Sequence, residues 1–190
     1  ISNNAPVTSE AVATVTAKTK ASSLKGAAFT KATKTGDSNI MKNASKYSNI
    51  TYDLNKRDGT SLNCSAFVEK LMTESGYTIP QNDVSSQGIW ANTPQSSKSK
   101  YADWTKIPEK RLKEGTIIAF DTGEHDFDKN RKWGIDHVGV IVYKDGKPMI
   151  LESSSSKGGV AMTPYKERMT ELSDSLVKTY LGDYVKNKKD

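Results

Sequence analysis

Apolar residues recur at helical spacing in one clear stretch of the chain, "TSLNCSAFVEKLMTESG", through Phe67, Val68, Leu71 and Met72. Asn63 is a good N-cap and Gly76 a natural stop, so the pattern predicts a helix over about 64–75 with Cys64 in its first turn. Downstream the period changes to two. "EGTIIAFDT" predicts a strand over about 116–120, and "HVGVIVYKDGKPMILES" predicts two strands joined by a turn at Asp145-Gly146. "GGVAMTPY" fits another strand, and "LVKTYLGDYV" fits either a last strand or a short helix. Upstream, "SNIMKNASKYS" fits a short helix capped by Ser38, and "NITYDLNKRDGTS" reads as a loop. Helices first and an antiparallel sheet after them is the α+β class.

Residues 1–38 lack either period. They are rich in Ala, Thr, Ser and Lys and read as a basic tail or linker preceding one domain over 39–190. An ordered tail of this kind must lie against its own domain or against a partner. The chain of 190 residues carries a net charge of +6, and residues 1–42 hold six lysines against Glu10 and Asp37. Such a surface suits an anionic partner, whether nucleic acid, anionic lipid or an anionic bacterial wall, and equally a solvated tail. Nucleic acid is disfavoured, because the lysines are spread out, no aromatics interleave with them and only four arginines are present. No apolar run approaches the roughly 18 residues of a membrane-spanning helix. The start at Ile1 suggests a processed or excised product, as removal of a signal peptide would leave.

The single cysteine excludes an internal disulfide and leaves the compartment open. Its position matters more. A helix N-terminus has partial positive charge and free N–H groups, which stabilise a thiolate and can hold an oxyanion. A buried structural cysteine is the plain alternative. A thiol nucleophile needs a base, and the base needs an orienting group. His125 sits in the polar loop "TGEHDFDKNRKWG", whereas His137 opens the strand "HVGVIV" and is held on a rigid element. A tight turn at Asp145-Gly146 pairs Val142 with Met149 and Val140 with Leu151. Gly139 then lies opposite Glu152, and Glu152 shares a face with His137. A carboxylate there can accept from one imidazole nitrogen and fix the tautomer.

"LNCSAFVEKLMTESGYTIP", "LKEGTIIAFD" and "IDHVGVIVYKDGKPMILESSSSKGGV", in this order, resemble the NlpC family of papain-like cysteine peptidases, which cut peptide stems of bacterial peptidoglycan. The likeness covers about residues 40–165. It implies N-terminal helices packed on an antiparallel sheet. It also implies Cys64 as nucleophile, His137 as base and Glu152 at the third catalytic position. Tyr52, in "NITYDLN", matches the family's site tyrosine. With the backbone N–H of Cys64 it is the expected holder of the oxyanion or substrate carbonyl, and Ser65 and Trp133 are further substrate-binding candidates. No cofactor is implied. The expected partner is the peptidoglycan of an anionic wall, with possible assembly contacts through residues 1–38. The expected location is extracellular, wall-associated or on a phage virion.

Asn63 and Ala66 stand where the family has Asp and Gly, and both suit a helix start. Glu152 stands where the family most often has His, and a strand glutamate after Cys and His also resembles the sister CHAP amidases and endopeptidases. The stretch 121–136 exceeds the compact family loop and reads as an insertion near the cleft, with Trp133 as a candidate wall. "DFDKN" (126–130) resembles the start of a calcium loop, but Arg131 and His137 occupy the positions of its Gly and Glu, so no metal site is expected. "SSSSKGG" (153–159) reads as a flexible turn.

Overall fold

The structure is a computed structural model that describes residues 23–55, 60–79, 85–123 and 132–187. Six strands form one sheet: β1 (Gln95–Tyr101), β2 (Thr116–Asp121), β3 (His137–Lys144), β4 (Lys147–Ser154), β5 (Gly159–Pro164) and β6 (Lys178–Tyr184). Their order is β1-β6-β2-β3-β4-β5, and every neighbouring pair is antiparallel. Among the described residues five α-helices accompany them: α1 (Gly26–Lys34), α2 (Asn39–Ala44), α3 (Cys64–Glu74), α4 (Ser86–Asn92) and α5 (Tyr165–Leu172). The α+β class with helices on an antiparallel sheet is therefore as expected.

The hairpin that carries the candidate base is set by turn chemistry. Asp145 (φ 53°) and Gly146 (φ 77°) both lie in the left-handed region, as a two-residue type I′ turn requires. The register that follows pairs Val140 with Leu151 and Val142 with Met149. Alternation then divides the sheet. Val138, Val140, Val142 and Leu151 join the core shared with Phe67, Leu71 and Met72 of α3. Ile118, Phe120, Ile141 and Ile150 join Tyr165 and Met169 of α5 on the other face. The segment "LVKTYLGDYV", open between strand and helix in the sequence, is strand β6 and lies between β1 and β2.

Two regions follow no hydrophobic period. β1 is polar, "QSSKSKY", and largely exposed; its order comes from backbone pairing with β6. Lys98 and Lys100 suit an edge strand, since charge there discourages pairing with another chain. The described part of the Ala/Thr/Lys-rich stretch, from residue 23 onward, lies against its own domain. Leu24 exchanges backbone hydrogen bonds with Met162 of β5 at 2.8 and 3.0 Å, and Phe29 of α1 is fully buried in the main core. No helix among the described residues is long and apolar enough to cross a membrane.

Candidate active site

The helix that presents Cys64 begins at a cap with two functions. Asn63 Oδ1 accepts from the backbone N–H of Ala66 at 2.9 Å, while Nδ2 donates to the carbonyl of Leu54 at 3.0 Å. An aspartate could cap but could not make the second bond, which gives asparagine a physical reason to stand here. Ser65 is buried, and its hydroxyl donates to the same Asn63 Oδ1 at 3.2 Å. The segment leading into the helix is tied to β4, because Ser153 Oγ donates to the carbonyl of Leu62 at 2.7 Å. That bond sets the start of α3 beside Glu152.

His137 is the first residue of β3. Its ring stacks on Phe120 with centroids 5.7 Å apart and planes 18° from parallel. The approach to β3 is fastened by Asp136, which accepts from Thr122 N at 2.9 Å and Thr122 Oγ1 at 2.8 Å. His137 Nε2 donates to Glu152 Oε1 at 2.6 Å, and the Cys64 side chain lies close enough to the imidazole to raise its pKa. With Nε2 committed to the carboxylate, Nδ1 is the nitrogen left for sulfur. The sequence-derived register thus brings His137 and Glu152 together, and the start of α3 places Cys64 beside the imidazole.

The charges are arranged to reinforce one another. Burial alone would lower the His137 pKa, but the adjacent Cys64 side chain and the bonded Glu152 carboxylate outweigh it and lift it to about 10. Burial would likewise raise that of Glu152. The adjacent Arg168 charge and the imidazole reverse the effect and hold it at about 2. Glu152 is fully buried, so an unpartnered carboxylate there would be very costly. Tyr52 is half-buried and close enough to feel Cys64: burial, then the charges of Cys64 and Asp53, raise its hydroxyl above the ordinary value.

Trp133 is placed differently. Its ring meets Trp90 edge-on at 5.6 Å, its backbone N–H donates to Gln87 Oε1 at 3.2 Å, and its backbone carbonyl accepts from Tyr180 OH at 2.8 Å. Trp90, Trp133 and Tyr180 line a hollow of about 250 Å³ with Lys98, Ser99 and Lys100, and none of Cys64, His137 or Glu152 borders it. His125 and the calcium-like stretch 126–130 lie outside the described residues. Among the described residues no group of three or more His, Cys, Asp or Glu is placed to hold a metal ion.

Two charged residues near this site carry no sequence motif. Arg168, in α5, grips Glu152, and Lys157, in the Ser-rich stretch read as a flexible turn, is buried and ion-paired to Glu171. That stretch is more than a turn. Gly159 (φ 149°) lies so close to the carbonyl of Ile50 that a Cβ would stand 2.2 Å from its oxygen, so only glycine lets the Tyr52 segment cross here.

The pattern of the NlpC/P60 family matches residues 49–178. A probable endopeptidase p60 of Listeria seeligeri is 27% identical over 103 residues, which are 54% of this chain and 15% of that protein. The corresponding protein of Listeria innocua is also 27% identical over 103 residues, covering 17% of its length. This chain therefore matches only a small part of those relatives. A solved structure from Staphylococcus aureus, described as similar to a lipoprotein of the NLP/P60 family, superposes with a TM-score of 0.51 at 17% identity, covering 83% of this chain and 42% of that one.

Proposed function

The chain belongs to the NlpC/P60 family, and we propose that it is a cysteine hydrolase that cuts amide bonds in the peptide stems of bacterial peptidoglycan. One observation carries the reading: a single imidazole bonds a buried carboxylate 2.6 Å away and lies close enough to the only thiol in the chain for that thiol to raise its pKa. In this reading Cys64 is the nucleophile. His137 holds the proton that leaves Cys64, and the thiolate attacks the scissile carbonyl, forming the C–S bond. The imidazolium then protonates the leaving amine as the C–N bond breaks. A water, deprotonated by the same imidazole, releases the acid from the thioester and regenerates the thiol. Glu152 keeps the ring oriented and stabilises its positive form. The backbone N–H of Cys64, at the start of α3, and the Tyr52 hydroxyl hold the oxyanion.

The wall as partner is supported by the family and by the net charge of +6, and residence there would weaken as salt rises. The p60 relatives are described as probable endopeptidases, which favours a peptide bond within the stem over the sugar–peptide amide.

The test is mass spectrometry of purified peptidoglycan incubated with the wild-type chain and with Cys64→Ala. New fragments from the wild type alone are expected, with masses that identify the bond. Equal fragments from both proteins would refute cysteine catalysis, and none from either across several wall types would refute the substrate. A truncation added to ask whether residues before the domain serve in docking must stop at residue 22, because Phe29 belongs to the core.

A further inference from the structure

The carboxylate that orients the imidazole is held more firmly than that task alone requires. Arg168 reaches Glu152 as a fork, Nε to Oε2 at 2.8 Å and Nη2 to Oε1 at 2.9 Å. Neither side chain has real access to water, at 5% and 0% exposure. Oε1 is therefore shared: it accepts from Arg168 and from His137 at once. Arg168 is itself anchored, with Nη2 3.3 Å from Ser154 Oγ and Nη1 3.6 Å from Glu171 Oε1. The Glu171 carboxylate takes two bonds from Lys157 Nζ, at 2.8 and 2.7 Å. Lys157 Nζ also donates to Ser23 Oγ at 2.9 Å, and Lys25 Nζ donates to the Lys157 carbonyl at 3.0 Å. Charges of alternating sign thus run from the imidazole to the segment 23–25, which is also paired to the edge of β5 through Leu24.

We infer that Arg168 is the positioning residue of the candidate base, and that Glu171, Lys157 and Ser23 extend this positioning to the N-terminal segment. The inference rests on the assignment of Cys64, His137 and Glu152 given above. A planar guanidinium fixes both carboxylate oxygens at once, so it fixes the atom that aims the ring, which a point-charge ammonium cannot do. A fully buried carboxyl would otherwise favour its neutral form, and a neutral carboxyl can donate a proton where the imidazole needs an acceptor. The charged and titratable groups facing Glu152 are His137 of β3, Arg168 of α5 and, through the imidazole, Cys64 of α3; its β5 neighbour is Ala161.

Cys64 is the only thiol, so its alkylation by iodoacetamide as a function of pH reports the thiol–imidazole pair without any substrate. Wild type, Arg168→Met, Arg168→Lys and Lys157→Met are compared, together with wall cleavage and the circular dichroism of each. For Arg168→Met, kcat falls about 10- to 100-fold with KM nearly unchanged. The acid limb of its alkylation profile moves up by about one pH unit, as Glu152 loses the charge that holds it ionised. Arg168→Lys recovers part of both effects, and Lys157→Met shows about a two- to three-fold loss in the same direction. A folded Arg168→Met with the wild-type limb and rate overturns the inference. If that variant does not fold, unchanged limbs in Arg168→Lys and Lys157→Met overturn it instead. A wild-type profile of an ordinary thiol, with no imidazole limb, is a different result: it removes the Cys64–His137 pair itself and the inference with it.

Discussion

Two arginine–carboxylate pairs among the described residues, Arg111–Asp183, which is partly buried, and Arg168–Glu152, which is fully buried, lie on the same sheet and differ in their surroundings. Arg111 Nη1 lies 3.1 Å from both oxygens of Asp183, Nε donates to Ser99 Oγ at 2.9 Å and Nη2 to the Leu181 carbonyl at 3.3 Å. Thr116 Oγ1 completes the cluster by donating to Asp183 Oδ1 at 2.8 Å. Every partner there belongs to β1, β2, β6 or the turn that carries Arg111, so the cluster ties the exposed edge of the sheet to its centre. The Arg168–Glu152 pair lies deeper, and its carboxylate has one further partner, the imidazole. The two pairs are alike as ion pairs. An ion pair by itself therefore says little about function, and the chemistry of its remaining partner, a hydroxyl at Asp183 and an imidazole at Glu152, separates the two.

Glu152→Gln leaves Arg168 without its main partner and the imidazole without an anion. Activity on wall fragments should fall about 10³-fold, and stability by about 3 kcal/mol in denaturant titration. Asp183→Asn should cost about 1–3 kcal/mol in the same titration while kcat stays at the wild-type value. Equal effects of the two variants on kcat would erase the distinction drawn here.

A smaller effect sharpens it through pH. Glu152 is held at about 2 against an ordinary value of 4.5, so its contribution to stability is complete above 4.5 and is lost as pH falls toward 2. His137 is held at about 10 against 6.5, so its contribution is complete below 6.5 and is lost as pH rises through 10. Both are complete between 4.5 and 6.5, where thermal melts should show maximal stability from this site. Glu152→Gln should flatten both flanks, and Asp183→Asn should leave the alkaline flank intact. The smallest effect is expected at the surface, where Lys46 and Glu74 pair at 2.5 Å with side chains 54% and 35% exposed. Lys46→Ala should change stability by less than about 1 kcal/mol, as water and salt screen such a pair.

Much of this site was legible because local rules placed it. Asn63 and the apolar spacing behind it define where α3 starts, and so where Cys64 sits. Asp145-Gly146 can form a type I′ turn, the turn sets the register, and the register sends Glu152 to the face of His137. β1 escaped notice because an edge strand can be polar on both faces when its backbone pairs with a neighbour. α1 escaped because its composition is that of a linker, and its order comes from burying Phe29 against elements far along the chain. Arg168 and Lys157 escaped for a related reason. Each is an ordinary basic residue in a polar segment, "PYKERMTEL" and "SSSSKGG", and nothing local distinguishes it from a solvated one.

The sequence by itself determined the helix that presents the thiol, the strand that carries the imidazole and the hairpin that brings a carboxylate beside it. Periodicity, capping and turn geometry act over a few residues and need no knowledge of the rest of the chain. The tertiary structure decided which charges stand behind that carboxylate and which segment closes the edge of the sheet. Arg168 meets Glu152 across 16 residues, and Lys157 meets Ser23 across 134. Pairings at such separations are fixed by how the packed faces come together, because only there does burial make an unpaired charge too costly to leave.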